Sequence, residues 1–147
     1  MNTQIAQHVA ALVEYLFEIS AADLRRQSAD AHASLNDFGP EGTQAVIALD
    51  VSRNGGNWQR NLVFVIESTD GDGWALEVKI YNEEQAPIIP VAEVAVTDET
   101  LADVALALAR AGRLRLTREL RACLGNSRAA AISSPTRSGL RPAGICE

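Results

Sequence analysis

Two closely spaced carboxylates in the stretch Asp70-Gly-Asp-Gly73 are the residues whose types and spacing most suggest chemistry. Alternating carboxylates supply oxygen ligands to Ca²⁺ in EF-hand loops, but such a loop also needs a bidentate glutamate at its twelfth position. Tyr81 occupies that position here. A glycine-rich turn between two strands explains the stretch more simply, and we expect neither a metal nor a cofactor.

The histidines and cysteines do not form a catalytic pattern. His8 and His32 are the two histidines, and neither has a cysteine or a carboxylate at a metal-ligand spacing on its own predicted helix. Cys123 and Cys146 both come late in the chain, and their spacing fits neither a disulfide framework nor a metal site. We therefore assign no catalytic residue. If the protein is an enzyme, a carboxylate and histidine site must form in a pocket between the sheet and the helices.

The basic side chains are concentrated at the C-terminal end. Residues 1–109 carry 17 acidic and 5 basic side chains, a net charge of −12 (5 minus 17), whereas residues 110–147 carry 8 arginines and 2 glutamates, a net charge of +6 (8 minus 2). A nucleic-acid-binding surface would need aromatic residues among the basic ones, and the acidic body would repel a polyanion. The pattern argues against direct binding of nucleic acid, and it favours pairing of the arginines with the acidic body of the chain or with an acidic partner protein.

Four apolar segments predict an antiparallel β-meander. Residues 45–51, 62–66 and 74–80 are separated by two glycine-rich stretches, which supply the positive φ angles that hairpin turns require. Residues 87–96 predict a fourth strand, whose two prolines place its first half at a sheet edge. By alternation, one face of the second strand carries Trp58, Arg60, Leu62, Phe64 and Ile66.

Residues 3–19 predict an amphipathic helix that is apolar over more than half of its circumference. A helix of this kind packs on two neighbours, so we expect it between the sheet and another helix, or at a dimer interface. The centre of its apolar side is formed by Ile5, Val9, Leu12, Leu16 and Ile19, and is widened by Val13, Phe17, Tyr15 and His8.

Two further helices are predicted. A capping-box pattern at its start predicts a second N-terminal helix over residues 20–35. The Thr and acidic residues of 97–100 predict the start of a long C-terminal helix. Gly112 either ends that helix or lies within it. We favour a helix that continues to about Leu124, and the alternative is a short strand over residues 114–116.

Together these elements predict an α+β domain with N-terminal helices, a four-stranded antiparallel meander and a long C-terminal helix. The domain covers residues 1–125, and the Ser-, Arg- and Pro-rich residues 126–147 predict a disordered tail. No apolar run approaches the roughly 20 residues that a membrane span requires, and no secretory signal is recognisable. The expected location is the cytoplasm.

In layout, residues 3–124 resemble the small acidic chaperones of bacterial type III secretion, which also have a leading helix, a central antiparallel meander and a late helix. The resemblance implies a cytoplasmic, often dimeric chaperone or adaptor, and it carries no residue role. We predict a non-enzymatic, acidic protein-binding module of the chaperone, adaptor or immunity-inhibitor type, which binds another protein or a second copy of itself. The predicted partner-binding residues are Tyr15, Phe17, Arg110, Arg113, Arg118 and Arg121.

Two alternatives stay open. One is the small enzyme with a carboxylate and histidine site described above. The other is an inhibitor that imitates nucleic acid, because the body of the protein is strongly acidic. That alternative would be supported if one face of the protein carried Asp50, Glu67, Glu77, Glu83 and Glu84 together.

Overall fold

The structure, a computed structural model, describes residues 2–27, 29–36, 44–52, 55–69, 71, 73–81 and 92–132. Its elements follow the chain in the order α1 (Thr3–Arg26), β1 (Asp30–Asn36), β2 (Gln44–Ser52), β3 (Gln59–Ser68), β4 (Trp74–Ile80), β5 (Ala92–Val96) and α2 (Asp98–Ile132). Neighbouring strands are antiparallel, and their spatial order equals their order in the chain. The predicted α+β class and the meander are confirmed.

Both helices pack on one face of the sheet and build a single hydrophobic core with it. Ile47, Phe64 and Leu76 are completely buried in this core, together with Val13 of α1 and Leu101 of α2. The other face is not covered by α1 or α2, and for that reason alone we call it the open face of the sheet, because Ala48 and Val63 on it are buried. Cross-strand pairing places on the open face Ser34, Val46, Ala48, Val63, Val65, Glu77 and Lys79.

The predicted second helix over residues 20–35 is wrong. α1 continues without a break to Arg26, and Asp30–Asn36 is the edge strand β1. Ala31, Ala33 and Leu35 alternate with polar residues and lie opposite apolar residues of β2 on the core side. Pairing with a long apolar strand overrides the weak helical pattern, so the described residues form a five-stranded sheet where four strands were predicted.

Side chains of α1 block the outer edge of β1. Arg25 donates to the carbonyl oxygen of Ala31 at 2.6 Å, and the backbone N–H of Ala33 donates to Glu18 at 3.3 Å. Glu18 and Arg25 also form an ion pair with each other. These contacts satisfy backbone groups that an edge strand would otherwise offer to another chain. The sheet is therefore protected from pairing along this part of its edge.

The long C-terminal helix continues through Gly112, as predicted, and the alternative strand over 114–116 is excluded. It runs to Ile132, beyond the predicted end near Leu124. A Cβ atom at Gly112 would lie 2.9 Å from Val78 Cγ2 and 3.3 Å from Leu62 Cδ1. Glycine thus lets α2 approach the sheet closely. Residues 133–147, which contain most of the predicted tail, and the prolines of 87–90 lie outside the described residues.

The buried side of α1 is rotated from the predicted centre of its apolar side. Val13 and Phe17 are completely buried, as are Ala6, Ala10 and Ala21. The predicted centre at Leu12 and Ile19 is instead partly exposed to solvent. Small alanine side chains beside Val13 and Phe17 let the helix lie close to the sheet, and Leu12 and Ile19 lie on the side away from it. The expectation that α1 packs on two neighbours is confirmed, because it contacts both the sheet and α2.

A β-bulge in β3 reverses the predicted orientation of its first residues. Leu49 pairs with Leu62 and Asp50 pairs with Arg60, so Asn61 is an extra residue in β3. The extra residue moves Arg60 to the open face, where its Nε lies 3.3 Å from Asp50 Oδ1. Trp58 also lies there, with its ring 4.7 Å from that of His32. Both had been predicted on the face of Leu62.

Asp98, the first residue of α2, joins three elements. Its Oδ1 accepts a hydrogen bond from Trp74 Nε1 of β4 at 2.7 Å and one from the backbone N–H of Asn2 at 3.0 Å. The Asn2 side chain in turn caps α1 by accepting from the N–H groups of Gln4 and Ile5. One carboxylate therefore ties together the N-terminal ends of both helices and the fourth strand.

The free energy of unfolding at acidic pH should show how much the ionised Asp98 carboxylate stabilises the fold. The indole N–H of Trp74, and then the N–H of Asn2, lower the pKa of Asp98 below its ordinary value of 3.8. Ionisation of Asp98 therefore stabilises the fold at pH values above the ordinary pKa of 3.8. This stabilisation is lost as the pH falls through the lowered pKa of the folded state. Asp98→Asn should unfold at lower urea concentration than the native protein near neutral pH, and the gap should narrow below about pH 4.

The measurement is urea unfolding at pH steps from about 7 down to about 2. Glu99→Gln is the matched control, since it removes a charge from an exposed position in the same helical turn. A gap between native protein and Asp98→Asn that stays constant over the whole series would contradict the assignment.

Candidate functional site

The sides of α1 and α2 that face away from the sheet carry large apolar side chains in contact with solvent. On α1, Leu12 is 48% exposed, Tyr15 66% and Ile19 37%. Their spacing of three and four residues places them on one side of the helix. On α2, Leu114 is 54% exposed. Clustered exposed apolar groups mark binding surfaces, whereas single ones are ordinary.

Exposed charged residues lie on the same side of α2 as Leu114. Asp103, Arg110 and Arg118 are exposed, and their spacing places them on the same side of the helix as Leu114. The buried Leu101 and Leu116 lie on the opposite side. We define the helical outer surface as Leu12, Tyr15 and Ile19 of α1 together with Asp103, Ala107, Arg110, Leu114 and Arg118 of α2.

Two contacts fix how the helices lie beside each other. The N–H of Asn2 donates to Asp98 at the start of α2, and Arg113 Nε donates to Ser20 Oγ at 2.8 Å near the end of α1. The two helices are therefore parallel. At about 1.5 Å per residue, Tyr15 and Arg110 come at nearly the same height along the pair. An aromatic ring, aliphatic side chains and guanidinium groups thus belong to one surface.

The predicted partner-binding residues differ in their exposure to solvent. Tyr15, Arg110 and Arg118 are exposed on the helical outer surface. Phe17 is completely buried in the core of this chain, so a partner cannot reach it in this structure. Arg113 is half-buried, because it packs against α1 and donates to Ser20. The side chain of Arg121 lies outside the described residues, although its backbone belongs to α2.

The charged residues divide α2 into an acidic and a basic part. Asp98, Glu99 and Asp103 make the beginning of α2 acidic, whereas the next charged residues, Arg110, Arg113, Arg115 and Arg118, make its middle basic. Burial, and then the charge of Arg110, lowers the pKa of the Arg113 guanidinium. Arg110 and Arg113 are three residues apart in α2 and therefore neighbours on its surface, which concentrates positive charge there.

A second group of polar side chains lies on the open face of the sheet. Asp50 is flanked by Arg60 Nε at 3.3 Å and by His32 Nε2 at 3.9 Å, and Trp58 meets His32 edge to face. The His32–Asp50 separation is too long for a hydrogen bond. The carboxylate is instead paired with the guanidinium of Arg60. The group has no proton-transfer geometry in this arrangement, and it joins β1, β2 and β3 across the sheet.

Sequence reasoning missed Leu114, and for Leu12 and Ile19 it left open whether they face the sheet and a neighbouring helix or a dimer interface. The small residues Ala6, Ala10 and Ala21, which share one side of α1, were the available signal for the true core side. The group at Asp50 was missed because a bulge brings Arg60 and Trp58 to it, and no sequence pattern marked that bulge.

Among the described residues, no three His, Cys, Asp or Glu side chains come together in a way that could hold a metal ion. In the same part of the chain, neither helix combines the length and the apolar character needed to cross a membrane. No protein-family model matches the sequence, and no curated protein or solved structure is significantly similar to the chain.

Proposed function

We propose that this chain is a non-enzymatic, cytoplasmic protein-binding module of the chaperone, adaptor or inhibitor type, and that its partner binds the helical outer surface. The observation that carries the proposal is the exposure of Leu12, Tyr15, Ile19 and Leu114 beside the exposed arginines 110 and 118. Aromatic and arginine side chains are the groups that contribute most to protein–protein binding. The partner should offer apolar side chains flanked by carboxylates.

The distribution of acidic groups favours this proposal over the imitation of nucleic acid. Asp50 is paired with Arg60, and Glu77 is paired with Lys79 at 3.0 Å. A surface that imitates a polyanion would present unneutralised carboxylates in a row. Glu83 and Glu84, the other acidic residues that would support that alternative, lie outside the described residues.

Site-specific cross-linking tests the proposed surface. A photoreactive amino acid at position 15 of the full chain should cross-link to a protein in a native lysate. The same group at position 67, which is exposed at the opposite side of the sheet, should not. The mass of the cross-linked species identifies the partner.

Tyr15→Ala should weaken binding of that partner about 10- to 30-fold, the loss expected for an aromatic residue at the centre of an interface. Glu67→Ala should leave binding unchanged, and both variants should unfold like the native protein because both positions are exposed. Equal cross-linking from positions 15 and 67, or full binding by Tyr15→Ala, would contradict the proposal.

A further inference from the structure

We infer that the partner of the helical outer surface is a second copy of this chain, packed face to face about a two-fold axis that crosses α1 between Tyr15 and Leu16 and α2 between Arg110 and Ala111. The inference rests on the proposed function and names the partner. In this dimer each helix lies antiparallel to its own copy, so a residue on one side of the axis meets its counterpart on the other.

The charges of α2 are self-complementary in this arrangement. Asp103 and Arg118 lie at equal distances in sequence from the axis, so Asp103 of each copy meets Arg118 of the other. Both residues are exposed in the single chain. The two-fold axis makes this pair twice. A helix with an acidic beginning and a basic middle pairs with itself only when antiparallel, because a parallel copy would place like charges together.

The same axis relates two apolar residues of α2. Ala107 and Leu114 have the same midpoint as Asp103 and Arg118, so the small side chain of one copy meets the large one of the other. Alternation of small and large side chains across a seam lets two helices approach closely. The exposed Leu114 thereby gains an apolar environment that its own chain does not supply.

The apolar residues of α1 independently give a consistent axis. Leu12 and Ile19 have their midpoint between Tyr15 and Leu16. Measured from the Asn2–Asp98 contact, this midpoint lies about 20 Å along α1, and the midpoint of Asp103 and Arg118 lies about 19 Å along α2. Measured from the Ser20–Arg113 contact, the two midpoints agree to within about 3 Å. A single two-fold axis perpendicular to the helix pair therefore passes through both midpoints.

The register also makes an unusual prediction for Arg110. This residue lies beside the axis, so the two copies of its positive charge approach each other. Arg110→Gln should therefore tighten the dimer, by about two- to fivefold, because it removes a like-charge repulsion. If the surface instead binds an acidic partner of a different sequence, the same substitution should weaken binding.

The test is sedimentation equilibrium of the full chain with charge-reversal variants. The native protein should form dimers. Asp103→Arg and Arg118→Asp should each weaken dimerisation about 10-fold or more, because each change replaces two attractive pairs by two repulsive ones. Mixed in equal amounts, the two variants should form a heterodimer, since each then supplies the charge that the other needs. Glu67→Arg, which changes the net charge by the same amount as Asp103→Arg but on the opposite side of the sheet, should dimerise like the native protein.

The outcomes separate the two proposals. Dimers that are indifferent to the reversals, or reversal variants that do not associate on mixing, overturn the inferred register. A native protein that stays monomeric at high concentration, while position 15 still cross-links to a different protein, overturns the self-association and leaves the proposed function standing. A monomer with no cross-linked partner at position 15 overturns both. Circular dichroism of each variant confirms that the fold is retained.

Discussion

Trp74→Ala should lower the free energy of unfolding by about 3–5 kcal/mol, the range for removing a large aromatic side chain from a core. The ring is completely buried and is the largest such side chain in the described part of the protein. Its Nε1 also donates to Asp98, so the variant loses a contact between β4 and α2 as well as the packing. Urea unfolding near neutral pH measures the loss.

Two variants make this result interpretable. Trp74→Phe keeps an aromatic ring but removes the N–H donor, and should cost about 1–3 kcal/mol. Trp58→Ala removes the other tryptophan, which is 52% exposed on the open face, and should cost less than about 1 kcal/mol. The burial of Trp74 would be contradicted if the two alanine variants were equally stable.

Gly112→Leu should destabilise the protein by about 2 kcal/mol or more, although leucine favours helix over glycine. The cost arises because a Cβ at this position already lies 2.9 Å from Val78 Cγ2, so a larger side chain forces α2 away from the sheet. Ala111→Leu places the same side chain one residue earlier in α2, at an exposed position, and should change stability by less than about 0.5 kcal/mol.

Gly112→Ala separates the contribution of helix propensity to stability from the cost of the close contact with the sheet. Alanine gains about 1 kcal/mol of helix propensity over glycine, and the close contact with Val78 opposes that gain. We therefore expect Gly112→Ala to be much less destabilising than Gly112→Leu. Equal stability of Gly112→Leu and Ala111→Leu in urea unfolding would show that α2 does not lie as close to the sheet as the structure indicates.

Local sequence patterns were sufficient for the strands at the centre of the sheet and for the start of α2. β2, β3 and β4 have apolar residues on their core sides and glycine-rich stretches between them, which is a short-range signal for a meander. α2 begins at Asp98, within the predicted start at residues 97–100, and the Thr97 N–H donates to Thr100 Oγ1 there. These features depend on residues close in sequence, and such residues interact in the same way in most folds.

The edge strand and the orientation of side chains were decided by tertiary contacts. Asp30–Asn36 becomes a strand because β2 offers an apolar partner and because Glu18 and Arg25 satisfy its outer edge. The side of α1 that enters the core carries Ala6, Ala10 and Ala21 beside Val13 and Phe17, a combination that packs at close distance against the sheet and α2. Neither effect has a signal within a short window of sequence.

For the candidate site, the sequence by itself determined which chemical groups are available: an apolar surplus on the first helix and arginines on the last. The tertiary structure alone decided that Tyr15 is exposed while Phe17 is buried, and that Tyr15 and Arg110 lie at one height. The physical reason is that the residues exposed at the surface are those that do not pack into the core. The core is selected by the fit between elements distant in sequence, here the contacts of α1 with the sheet and with α2.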